Sequence, residues 1–285
     1  MHTFSTTSIL LLLSFALSGC SSIISSTTGK MATNLSKAIV NNDDPATVKA
    51  GAPAYLLLLD SFIESEPEDG NILIAAANLN SAYAGVFVED KARAKRLTQK
   101  SLDFSLKASC LKFPSTCQLE QMKFAEFNNA IQRFGIQDIE LLFTLGASWA
   151  GWIESRSGDW NATAALSRVT TIMQRVVTLN EKYKFGQAHL YLGVLNTLLP
   201  PALGGKPNVG QQHFEKAIAI SKGQNLMAKV LYAEKYARLV FNQALHDKLL
   251  NQVIKTDPHI TNFTLTNVLA QNKAKALLTS GKDYF

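Results

Sequence analysis

The residues on this chain whose types could do chemistry are three cysteines, five histidines and a group of tryptophans close together in sequence. Cys20 closes the tetrad Leu17-Ser18-Gly19-Cys20, directly after the apolar run Ile9–Leu17. That run is long enough for a signal-peptide core and far too short to span a bilayer as a helix. Small residues before the cut fit a narrow protease cleft, and a new N-terminal Cys20 would offer its thiol to a lipid. The usual Lys or Arg ahead of the apolar run is missing, and only His2 stands there. The alternative is a plain secretory signal with a chance cysteine. Ser21 takes the place where an Asp would retain a lipoprotein at the inner membrane, so the expected location is the outer membrane, lipid-anchored and facing the periplasm. Cys110 and Cys117 then remain as an even pair in an oxidising compartment, which points to a disulfide stapling a short loop around Pro114. A zinc pair would need further ligands, and no His or additional Cys lies nearby in sequence.

Catalytic constellations are missing. No Gly-rich phosphate loop, no His-Glu-x-x-His and no Gly-x-Ser-x-Gly occurs. His189, His213, His246 and His259 are scattered, and His213 reads as a partly buried helix histidine. The chain is therefore read as a non-enzyme with no cofactor, no metal site and no catalytic residues. The aromatics offer a different chemistry. Trp149 and Trp152 share a helix face at i, i+3 spacing, with Phe143 upstream and Trp160 downstream. Tyr83, Phe143, Trp149, Trp152 and Tyr191 could line a pocket for an apolar or amphipathic ligand. The competing reading, which is preferred, has these large residues filling the seams between helices.

The elements that must position these residues are helices. Apolar residues recur at helical spacing in Ile72, Ala76, Leu79, Tyr83 and Val86, and again in Leu142, Leu145, Trp149 and Trp152. Further stripes run through Val169, Met173 and Val176, through Ala188, Tyr191, Leu192 and Leu195, and through Phe214 and Ala217. No segment shows strand alternation bounded by hairpin turns. Breaks fall at Glu66–Gly70, Ser155–Asp159, Pro200–Pro207 and Asp257-Pro258, where Pro and Gly stop helices. Asp43-Asp44 before Pro45 reads as a helix end or turn rather than a paired acid and base. Leu192-Gly193 with Phe214 and Ala217, Leu145-Gly146 with Trp149, and Tyr83 with Ala92 fit degenerate tetratricopeptide units. The expected fold is all-α: antiparallel helical hairpins stacked as a tetratricopeptide-like α-solenoid, with an irregular bundle as the alternative. Residues 1–19 form the signal peptide, 20–30 the lipidated start and Ser/Thr-rich tether, and 31–285 the helical domain.

With 47% hydrophobic and 18% charged residues, the full sequence is globular in composition and can bury a sizeable core. Tyr55–Leu59 and Ile139–Leu145 are too short and too closely flanked by charge to predict a membrane span. The net charge of +6 is spread along the chain. Its densest run, Lys91-Ala92-Arg93-Ala94-Lys95-Arg96, reads as a solvated helix face; contact with anionic lipid or an acidic partner is the sharper alternative. An exported chain has little access to nucleic acid, so no nucleic-acid partner is expected.

One set of residues is distinctive. Leu190-Tyr191-Leu192-Gly193, then Leu199-Pro200-Pro201-Ala202-Leu203-Gly204-Gly205-Lys206-Pro207, then His213-Phe214-Glu215-Lys216-Ala217-Ile218 resembles the TatT family, the lipoprotein T component of tripartite ATP-independent periplasmic (TRAP) transporters. The resemblance extends through Ala52–Leu56 and Trp149–Ile153 to the closing stretch Leu265–Gln271 and Ala276–Leu278, and so covers nearly the whole mature chain. It implies a tetratricopeptide-like fold, a homotrimer and a hydrophobic channel for a small apolar ligand. It also implies docking with the substrate-binding P component, for which Pro200, Pro201, Gly204 and Gly205 are the candidate partner loop. A general scaffold in envelope assembly, with no ligand, is the alternative.

Overall fold

The computed structural model describes residues 34–285. The signal peptide, Cys20 and the tether expected over 20–30 lie outside the described residues. Twelve α-helices follow a short helical stretch at 34–40, and no strand occurs among the described residues. They are α1 (Pro45–Ser65), α2 (Gly70–Phe87), α3 (Lys91–Lys112), α4 (Phe124–Ile131), α5 (Ile139–Glu154) and α6 (Trp160–Ala164). There follow α7 (Leu166–Asn180), α8 (Gln187–Thr197), α9 (Pro207–Ile220), α10 (Leu226–Leu231), α11 (Gln243–Lys255) and α12 (Thr264–Tyr284). A π-helical turn, Tyr232–Ala237, continues α10.

The helix starts are set locally. Asp44, Asp69, Asp90, Asp159 and Asn242 each accept from backbone N–H groups of the first turn, satisfying donors the helix itself cannot. Pro53 sits inside α1 without ending it. Although Pro removes one ladder bond, the remaining N–H groups carry the helix across.

Neighbours in sequence are neighbours in space. α2 packs on α3, α5 on both, α7 on α5, α8 on α7, α9 on α8, and α10 to α12 close the series. Two glycines allow the close approaches within this stack. A Cβ on Gly193 would lie 2.9 Å from the Phe214 ring, and one on Gly146 would lie 2.7 Å from Ile172 and Met173. These are the two Leu-Gly pairs of the sequence pattern, and each lets a helix lean on the next.

One core cluster joins α2 to α8 through Leu73, Leu102, Phe127, Leu142, Leu145 and Met173. Another joins α9 to α12 through Phe214, Leu226, Val230, Leu250 and Ala270. A small third cluster holds α1 to α2 with Ala52, Leu56 and Tyr83. Arginines tie the intervening loops: Arg168 donates to the Leu119 and Met122 carbonyls, and Arg175 to those of Gln132 and Phe134. The last helix also touches the first. α12 meets α1, and just ahead of α12 the Asn262 N–H donates to Asn41 Oδ1 at 2.7 Å.

α1 differs from the sequence expectation in one respect. At 21 residues it has the length and composition to cross a membrane. The apolar run Tyr55–Leu59 is short, but the Ala and Gly residues before it extend the apolar helix.

Candidate functional site

The aromatic residues fall into three groups rather than one. Trp149 on α5 is 3% exposed and meets Phe127 edge-to-face at 5.8 Å, with the Arg168 guanidinium over both rings. Trp152, one turn on, is half-buried and turns to α3, where its indole N–H donates to Gln99 Oε1 at 2.6 Å. Arg156 lies 4.5 Å over that indole and donates to the Trp152 carbonyl, Ser155 Oγ and Gln99 Oε1. Burial pushes this guanidinium below its ordinary value, and the field of Asp159 partly restores it. Trp160 stands apart from both, 86% exposed at the start of α6.

The third group gathers at α5 and α8. The Phe143 ring meets Tyr183 at 5.6 Å and Tyr191 at 5.8 Å, both edge-to-face. Lys184 places its ammonium 5.1 Å over the Phe143 ring. Burial lowers the Lys184 pKa, with Glu140 opposing, while burial pushes the phenols of Tyr183 and Tyr191 up to about 12. Tyr191 nonetheless keeps part of its surface exposed. Lys184, Phe185 and Gly186 are consecutive left-handed residues, with φ of 45°, 58° and 79°. That conformation costs a non-glycine residue about 1 kcal/mol or more, so packing around α8 must hold it. Tyr83 lies away from these groups, buried under α1 with Arg93 over its ring.

Several features had little or no sequence signal. His189 and His213 come from α8 and α9 and bring their Nδ1 atoms within 2.9 Å of each other. Nothing in their spacing announces the pair. Burial lowers both pKa values, that of His213 to about 4, and Glu181 and Lys216 lie beside them. The left-handed run at Lys184–Gly186 was likewise unannounced. On α3, Lys95, Arg96, Gln99, Lys100 and Asp103 form a shallow cleft of about 350 Å³ with Arg156. Part of the basic run thus faces a concavity. Among the described residues no cluster of His, Cys, Asp and Glu could hold a metal ion.

The cysteine pair closes the end of α3. Cys110 and Cys117 are joined through their sulfurs, with Cα atoms 4.3 Å apart. The loop after α8 runs through a 3-10 turn, Pro201–Leu203, and leaves Leu198, Leu199 and Leu203 exposed. Its second glycine is obligatory, because a Cβ on Gly205 would lie 1.7 Å from the Leu199 carbonyl oxygen. This rigid loop and the histidine-bearing helix behind it are the most specific part of the sequence pattern, and they set the comparison with known families.

The family model for the TRAP transporter T-component matches residues 41–285. The chain belongs to this T-component family. The match spans every helix from α1 to α12, so the aromatic groups, the basic cleft and the Pro-Pro loop all lie within the family's domain. No curated protein matches the chain. A T component is an accessory part of a TRAP transporter, which places this chain at the periplasm or its membranes and in association with that transporter.

Proposed function

We propose that this T component is a lipoprotein held on the outer membrane through Cys20. In this reading it binds a small, largely apolar organic ligand and presents it to the substrate-binding P component. The supporting observation is the wall formed by Tyr191 over Phe143. Tyr191 lies deep enough for its phenol to be pushed up to about 12, yet part of its surface meets solvent. A half-buried aromatic edge of this kind leaves apolar surface for a ligand to cover. Ala147, Ala150 and Leu195 share its half-buried state on α5 and α8. Phe143, nearly fully buried, backs the wall and stiffens it, whereas Trp149 packs with Phe127 and Arg168 instead. Trp152 turns to α3, and Tyr83 supports α1 and α2 rather than the wall. A ligand covering such a surface gains roughly 25 cal/mol per Å² of apolar area, enough for micromolar binding once ordering costs are met.

The docking half of the reading rests on the loop Leu198–Pro207. Exposed leucines on a backbone stiffened by Pro200 and Pro201 and turned by Gly204 and Gly205 form a preorganised contact surface. Assembly as a homotrimer belongs to the same reading. A scaffold without a ligand is the second reading, favoured by the close packing of Trp149 and Tyr83. Purified P component and the T component decide the docking half by interferometry. Leu203→Asp should weaken binding at least about tenfold, as loss of a central apolar contact does, without lowering the melting temperature. Unchanged binding removes the loop from the reading, and absence of any binding removes the docking.

A further inference from the structure

α1 is the first long helix among the described residues, touched by α12, and the face it turns away from α2 is apolar. It packs on α2 through Val48, Ala52 and Leu56. The opposite side carries Ala50, Ala54, Leu57, Leu58 and Ser61, at the spacing of a single helix face and all exposed. Leu57 is 71% exposed. End helices of stacked arrays ordinarily turn a polar face outward, because no following repeat covers them. Here, among the described residues, the first long helix is the one whose composition suits a membrane.

The exposed Glu64 closes this stripe at the C-terminal end of α1, and further charge borders it on one side. Asp60, one turn beyond Leu57, accepts from Lys100 Nζ of α3 at 2.5 Å. Lys100 lines the basic cleft with Lys95, Arg96 and Arg156, and Asp103 is the one carboxylate there. An apolar stripe beside clustered cations is the pattern of a helix lying in a phospholipid interface. A second copy of this chain would set these cations against their own kind, whereas anionic headgroups neutralise them. Spanning is disfavoured by the geometry, since α1 uses Val48, Ala52 and Leu56 to hold α2 and keeps Asp60 paired to α3.

We propose that the outer face of α1, with Lys95, Arg96 and Lys100 beside it, docks on the anionic phospholipid surface of the membrane that carries the protein. Residues 21–44 separate Cys20 from α1, so α1 is the first long helix that an anchor at Cys20 would deliver to that surface. The docking lays this face of the array on the bilayer and holds the remaining helices away from it. It is independent of ligand binding and of the P component.

Vesicle sedimentation of the mature chain carrying Cys20→Ser tests this without the acyl anchor. The protein should sediment with phosphatidylethanolamine–phosphatidylglycerol vesicles and less with phosphatidylcholine alone. Leu57→Asp with Leu58→Asp should weaken that binding at least about tenfold, and the milder Leu57→Ser should weaken it less at an unchanged circular-dichroism melt. Lys95→Gln with Arg96→Gln should erase the preference for phosphatidylglycerol. The proposal is overturned if the Cys20→Ser chain stays in the supernatant, or if the Asp variant sediments equally well. It is also overturned if light scattering shows Leu57→Asp dissolving an oligomer that never bound vesicles, because the stripe is then an interface between copies. Because the anchor is removed, failure of lipidation and failure of α1 docking give different results.

Discussion

Trp149 shows how much a single residue carries. Its ring fills the space between α5, Phe127 and Arg168, and almost none of it reaches solvent. Trp149→Ala should therefore cost about 3–5 kcal/mol, seen as a marked fall in melting temperature, whatever the ligand does. Tyr191→Phe should behave oppositely, leaving the melt nearly unchanged while altering ligand affinity. The histidine pair adds a pH dependence. His213 titrates near 4 in the folded chain because burial and the neighbouring His189 disfavour its charge. The unfolded chain takes up that proton near 6.5, so it binds more protons than the folded chain between these values. The contribution is intact above about pH 6.5 and is lost as pH falls toward 4. Urea melts at pH 7 and pH 5 should show this loss, and His213→Gln should reduce it; an unchanged difference would assign the pH dependence to other groups. The sequence placed His213 on a helix but not against His189, because the contact joins two helices across a seam. Local spacing carries no information about that.

Among the elements, the helix breaks at Glu66–Gly70, Ser155–Asp159, Pro200–Pro207 and Asp257-Pro258 were legible because each has a local cause, whereas others, such as the one between α2 and α3, were not. Asp44, Asp69 and Asp159 cap, and Pro and Gly break. The Leu-Gly pairs, read as parts of a repeat pattern, mark close approaches in the structure, since Gly146 and Gly193 lie where a Cβ would strike the next helix. Gly193→Ala should cost about 1–3 kcal/mol through overpacking against Phe214. Thermal melts check it, and a neutral result would mean that the α8–α9 seam yields. Val86, the last residue of its apolar stripe, is 50% exposed next to the C-terminal end of α2. Trp160 was grouped with Trp149 and Trp152 by sequence distance. The break at Ser155–Asp159 turns the chain and separates it from them. The cysteine pair staples α3 to the turn that follows. Closing so short a loop should contribute about 2 kcal/mol, so the melting temperature should drop on reduction, and alkylation before mass measurement should find no free thiol until then.

At the scale of the whole molecule, the all-α class followed from periodicity, whereas the contact of α12 with α1 did not. That closure joins Asn262 to Asn41 and sets His259 beside Asp43, partners at opposite ends of the chain. The packing of Tyr183 and Tyr191 on Phe143 was equally hidden, because it depends on how helices are arranged and not on any one stripe. Membership in the T-component family ties this arrangement to a TRAP transporter. In the proposed function the molecule carries a small apolar solute while anchored by lipid. Native mass spectrometry of the protein released in detergent from its own cell envelope tests both parts together. The predicted result is a chain beginning at Cys20 with the mass of acyl groups, plus a noncovalent small molecule lost on collisional activation and absent from Tyr191→Ala. A lipidated chain that never carries such a molecule would contradict the carrier claim and leave the ligand-free scaffold.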